Sequence, residues 1–179
     1  MTRVLVAGVG NIFQGDDAFG VEVAQRLARR AWPEGVKIVD FGIRGIDLTY
    51  ALLEDWDGVI LVDAAMRGEA PGTVSVIAPD VASPAPLSPE DLVLSGHDLD
   101  PAKALRLVTA LGGECRRILL VACEPLTCGG EDGFMGLSPP VAEAIDAAIE
   151  TIERLILDLR GSGTGARKPR ELAMEGRLS

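Results

Sequence analysis

The chain has 179 residues, 47% of them hydrophobic and 4% aromatic, a size and apolar content that suit one globular domain with a sizeable core. Its formal net charge of −10 argues against a nucleic-acid partner, whose phosphates would need clustered Lys and Arg. Its three cysteines, Cys115, Cys123 and Cys128, are odd in number and form no C-x-x-C pair, so reduced thiols are expected rather than a disulfide framework or a zinc site.

The first apolar run, "RVLVAG" (Arg3 to Gly8), reads as a β-strand ending in glycine, and from Val21 the apolar residues Ala24, Leu27, Ala28 and Ala31 recur with helical period. The run from Val4 to Val9 is too short and wrongly flanked for a signal peptide, and no later run approaches membrane-spanning length. A soluble cytoplasmic protein with no membrane partner is therefore expected. "VKIVDFG" (Val36 to Gly42) predicts a second strand, followed by a short helix from Asp47 to Leu53, and "GVILVDAA" (Gly58 to Ala65) a third strand. Nearly all-apolar runs of this kind fit central strands of a parallel sheet covered on both faces.

"PGTVSVIA" (Pro71 to Ala78) follows after only "MRGEA", too little chain for a helical crossover, so an antiparallel edge strand is expected. Pro79 to Pro101 is proline-rich and predicts a long irregular loop, of a length that is often functional. Asp100 offers a helix N-cap with Pro101 at the first helical position, and the helix runs to Gly112-Gly113. "RRILLVAC" (Arg116 to Cys123) is the last strand. Ser138 and Pro139 open a final helix with the apolar stripe Val141, Ile145, Ile149, Ile152, Ile156 and Leu159. The pattern predicts one domain over 1–159 and a disordered tail over 160–179. Its fold class is α/β, a three-layer α/β/α sandwich on a mixed, mainly parallel five-stranded sheet.

Such sheets keep their sites at the carboxyl ends of the strands. Those ends carry Asn11, Asp16 and Asp17 after the first strand, Asp40 after the second, Asp63 after the third and Glu124 after the last, while the sole histidine, His97, lies in the loop "LSGHDLD". Taken singly, such acids cap helices or bind loop amides. Their convergence from separate strands onto one face is what points to chemistry. Asn11 could serve a substrate or bond its own loop, Asp40 could orient another ligand or cap the short helix, and Gly42 and Gly45 around Arg44 suit a turn or an exposed binding loop.

A dinucleotide fold would explain Gly8-x-Gly10 after a strand and Asp40 at the end of the next. The position of the third glycine is Phe13, however, and Asp16 and Asp17 would repel a pyrophosphate. No Walker loop and no Gly-x-Ser-x-Gly elbow is present. Two carboxylates and one imidazole could hold a borderline divalent ion, weakly or shared with a partner, since a permanent catalytic zinc would want a richer ligand set. Paired carboxylates activating a water remain open.

The order "GVGNIFQGDDAFGV", "DFGIRGIDL", "LVDAAMRGEAPGTV", "SGHDLDPAKAL" and "VACEP…GLSPPV" resembles the nickel–iron hydrogenase maturation endopeptidases, in register from Arg3 to about Ile156. The resemblance implies a monomeric hydrolase, often classed as an aspartic-type endopeptidase. It would remove the C-terminal extension from the nickel-loaded precursor of the hydrogenase large subunit. Carried over residue by residue, it makes Asp17, Asp63 and His97 both the catalytic and the metal-contacting residues, with nickel carried by the substrate and little or no intrinsic metal. Relatives commonly have glutamate where this chain has Asp17, one methylene shorter, which keeps Asp16 as a lesser candidate. The link from Leu126 to Met135, with Cys128 and three glycines, is looser than the usual one. A non-catalytic nickel-dependent chaperone or checkpoint for the same precursor would use the same residues.

Overall fold

The computed structural model describes residues 1–79, 101–113, 117–129 and 135–161. Among the described residues five strands form one sheet: β1 (Val4–Val9), β2 (Val36–Gly42), β3 (Gly58–Ala64), β4 (Val74–Ile77) and β5 (Ile118–Cys123), in the order β2-β1-β3-β5-β4. All pairings are parallel except β4 with β5. The sheet is thus mixed and mainly parallel, with β4 as the expected antiparallel edge.

The helices are α1 (Phe19–Ala28), α2 (Gly45–Leu52), α3 (Pro101–Ala110) and α4 (Pro139–Gly161), preceded by a single 3-10 turn at Asp16–Ala18. The strand period of two sorts β1 between two cores. Val4 and Val6 pack with Phe19, Val23 and Leu27 of α1 and with the stripe of α4. Leu5, Ala7 and Val9 pack on the other face with Leu48 and Leu52 of α2 and Ala104 and Val108 of α3. Helices therefore cover both faces, and every residue of β1 is buried, which explains its unbroken apolar run. Among the described residues no helix is long and apolar enough to cross a membrane.

The glycines of the first loop serve close packing. A Cβ on Gly8 would meet the Gly20 carbonyl oxygen at 2.2 Å, and one on Gly10, whose φ is +138°, would meet the Asp17 carbonyl oxygen at 1.8 Å. The space that a phosphate cradle would leave open in front of Gly10 is filled by the chain's own backbone. This is why Gly-x-Gly occurs here without a nucleotide fingerprint.

Several expected boundaries shift. The second helix starts at Gly45 rather than Asp47, β4 is confined to Val74–Ile77, and α4 runs on to Gly161. The cap at Asp100, the start of the last strand at Arg116, most of the loop between Pro79 and Pro101, and the tail beyond Gly161 lie outside the described residues.

Candidate active site

The carboxyl ends of β1, β2, β3 and β5 lie side by side, with Gly8 in register with both Asp40 and Val62, and Asp63 with Ala122. This edge gathers Asp16, Asp17, Asp40, Asp63 and Glu124. Their partners sort them into different tasks.

Asp16 is fully buried. Its Oδ2 accepts from the backbone N–H of Leu126 (2.8 Å) and Thr127 (3.0 Å) and from the Ser138 hydroxyl (2.8 Å), while Oδ1 accepts from the Ser138 N–H (2.6 Å). Burial pushes this carboxyl up, but the donors from Ser138, Thr127 and Leu126 together hold it below the usual carboxylate value. So placed, Asp16 ties the first loop to the loop after β5 and to the start of α4. It faces protein rather than solvent, which removes it as an alternative metal contact. Ser138 stands where a cap was expected, and its carbonyl accepts the Ala142 N–H at 2.8 Å, but its hydroxyl serves Asp16.

Glu124 is also buried, and its two oxygens accept from the N–H groups of Arg67 (2.7 Å) and Gly68 (3.3 Å), pinning the loop after β3. Asp40 accepts from the Gln25 amide at 2.9 Å, so its side chain ties β2 to α1 and does not cap α2. Asn11 forms the local turn expected of it, its side-chain oxygen accepting from the Phe13 N–H at 3.0 Å. Arg44 turns back onto its own loop, donating to the carbonyls of Phe41 and Asp40.

Asp17 and Asp63 are half-buried at the same edge. One oxygen of Asp17 accepts from the Asn11 N–H at 2.7 Å, which fixes the carboxylate against the tight loop. Cys128, bridged to Gly15 in antiparallel fashion, marks their proximity. Burial pushes its thiol up, and the negative charge of Asp17, Asp16, Asp63 and Glu124 adds to that, bringing it to about 11. Four acids from three separate segments of the chain thus act on one sulfur.

Alkylation of Cys128 by iodoacetamide at pH 7.5 is accordingly expected to run roughly 100-fold slower than that of a free thiol, and to accelerate in Asp17→Asn. Site-resolved mass spectrometry measures both, and a rate equal to that of a small-molecule thiol would refute the placement.

Among the described residues no three His, Cys, Asp or Glu side chains stand ready to hold a metal. Asp17 and Asp63 place two carboxylates, hard oxygen donors, at one edge. His97, third of the expected set, lies outside the described residues.

A cleft of ≈ 310 Å³ that sequence reasoning missed opens beside this edge, between the β1–α1 loop, α1 and the β2–α2 loop. Its lining includes Ile12, Phe13, Val21, Phe41 and Ile43, with Asn11 at the junction with Asp17. The signal available in sequence was three large apolar residues, Ile12, Phe13 and Ile43, in loops where polar residues are usual.

Comparison with known proteins follows the same lines. The family model for hydrogenase maturation proteases, HycI, matches residues 21–155. The hydrogenase 2 maturation protease of Escherichia coli is 33% identical over 171 residues, covering 94% of this chain and 97% of that protein. The hydrogenase expression/formation protein HupD of Bradyrhizobium diazoefficiens is 32% identical over 149 residues, 83% of this chain and 74% of its own. Among solved structures, the hydrogenase maturating endopeptidase HybD from Escherichia coli superposes with a TM-score of 0.67 at 29% identity, over 90% of this chain and 94% of its own.

Proposed function

This chain belongs to the hydrogenase maturation protease family, and we propose that it removes the C-terminal extension from the nickel-loaded precursor of a nickel–iron hydrogenase large subunit. It acts as a monomer in the cytoplasm, and the nickel is cargo of the substrate. Asp17, Asp63 and His97 contact that nickel and the scissile segment, and a carboxylate assists attack by water on the peptide carbonyl.

One observation carries this reading. Of the acids at the strand ends, Asp16 and Glu124 are buried and Asp40 is tied to Gln25, whereas Asp17 and Asp63 are only half-buried at the edge where α/β sheets keep their sites. A sparse set of hard ligands suits a protease that must tell loaded from empty precursor. Weak affinity for free metal makes docking depend on the nickel already held by the substrate. The shorter Asp17 reaches less far than glutamate would, and its bond to Asn11 holds it in one orientation, so the precursor must bring its metal close to the loop.

The deciding experiment mixes the purified protein with nickel-loaded and nickel-free large-subunit precursor and measures the mass of the subunit. Loss of a C-terminal peptide from the loaded form alone is expected. Binding of the loaded precursor with no change in mass would establish the chaperone reading instead, and equal cleavage of both forms would remove nickel from recognition.

A further inference from the structure

The apolar cleft beside Asp17 has no part in the chemistry above, yet it departs from the surface around it. Ile12, Phe13 and Ile43 are 40%, 59% and 40% exposed, and Ile46 and Tyr50, four residues apart on α2, are 40% and 68% exposed. Residues three or four apart share a helix face, so Ile46 and Tyr50 form an exposed apolar pair on α2, the helix that follows the cleft's second loop. Clustered exposure of this kind, on a chain otherwise rich in charge, marks a binding surface more than a chance distribution.

Two features choose the occupant. The cleft is continuous with the protease edge, because Asn11 is part of its lining while its N–H holds the Asp17 carboxylate at 2.7 Å. Whatever binds across Asp17 therefore passes the cleft's mouth. A second copy of this chain is disfavoured by charge, since two molecules of net −10 would be brought together at an edge that presents Asp17, Asp40 and Asp63. A partner that carries a cation toward the acids and apolar side chains beside it fits both halves of the surface.

We infer that the cleft walled by Ile12, Phe13, Phe41 and Ile43 binds an apolar side chain of the hydrogenase precursor next to the scissile bond, and so sets which precursor is processed. This rests on the protease reading above. With ≈ 310 Å³ available, the cleft has room for a large aliphatic or aromatic side chain together with part of its neighbour. Polar backbone of the bound segment would meet Asn11 and the outward face of Arg44, which is more than half exposed.

The test uses the full chain and nickel-loaded large-subunit precursor. Ile43→Asp and Phe13→Ala are each expected to raise KM for cleavage tenfold or more, and to weaken precursor binding in a titration by a similar factor, with kcat within twofold. Both positions are partly exposed, and unchanged melting shows that each variant folds. Should Ile43→Asp fail to fold, Phe13→Ala carries the test alone. A photo-crosslinking residue at position 13 is expected to capture the precursor through an apolar residue flanking the cleavage point. Cleavage with unchanged KM and binding in folded variants would overturn the cleft assignment and leave the protease reading standing. Binding without cleavage by the parent protein, still weakened by the variants, would sink the protease reading and keep the cleft. No binding by the parent protein removes both. Loss of self-association in the variants, with precursor binding intact, would make the occupant a second copy and overturn the inference.

Discussion

Asp17→Ala and Asp63→Ala are each expected to lower cleavage of nickel-loaded precursor by about 100-fold or more, the range associated with loss of a positioned acid–base group. The melting temperature of Asp17→Ala should fall by no more than about 4 °C. The reasoning for Asp17 is local: its carboxylate accepts the Asn11 N–H, in a loop that is only half-buried. A partly solvated N–H that loses its partner costs about 1 kcal/mol, and in a domain of this size 1 kcal/mol shifts melting by about 2–4 °C. A large drop in rate with a small drop in stability separates a residue that touches substrate from one that holds the fold. Asp17→Glu sharpens the point. The extra methylene moves the carboxylate outward, so either it keeps activity by reaching the metal more easily or it breaks the Asn11 bond and loses it. Activity near the parent level in Asp17→Ala, with the precursor cut at the same bond, would remove Asp17 from the mechanism.

What could be read from the chain and what could not divides along the reach of the interactions. The strands were legible because their causes are local: unbroken apolar runs in β1 and β3, glycine at their ends, and five residues between β3 and the next strand signal, too few for a crossover helix. The stripe Val141 to Leu159 announced α4 for the same reason, and it packs on the sheet as its period requires. The set of strand-end acids was legible too, since any α/β sheet collects them at one edge. Which acids the fold consumes was not. The partners of Asp16 lie 110 to 122 residues away, and those of Glu124 lie 56 and 57 residues away, so no neighbouring residue betrays them. Asp16 and Asp17 are adjacent and chemically identical, and only the 3-10 turn, which sends one inward and one to the rim, tells them apart. The cleft escaped notice for a related reason: Phe13 counted as a departure from a glycine pattern, when its exposed ring is a wall.

Asp16→Ala should destabilise the protein by about 3–5 kcal/mol and lower its melting temperature by roughly 6–20 °C. The change leaves the N–H groups of Leu126, Thr127 and Ser138 without their acceptor, each costing about 1–3 kcal/mol where water cannot replace it. The Ser138 hydroxyl can turn elsewhere, so it adds little. Asp16→Asn keeps the shape but puts an NH2 group against at least one of these donors, and a loss of about 2 kcal/mol is expected. The pH dependence has a definite sign. Because the folded carboxyl is held below its unfolded value, Asp16 stabilises fully above the ordinary carboxylate range, and that contribution is lost as pH falls through the lowered folded value. Melting of the parent protein should thus fall more steeply on acidification below about pH 4 than that of Asp16→Asn, which has no such proton to take up. Scanning calorimetry from pH 7 to pH 3 measures both slopes. Parallel slopes together with equal melting at pH 7 would mean that the carboxylate is not clamped between the two loops. The consequence reaches the active edge: Asp16 fastens the chain at Leu126 and Thr127, and Cys128, next along, pairs with Gly15 beside Asp17. Loosening that fastening should speed Cys128 alkylation in Asp16→Asn at temperatures well below its melting, because the loop that shields the thiol is no longer tied down.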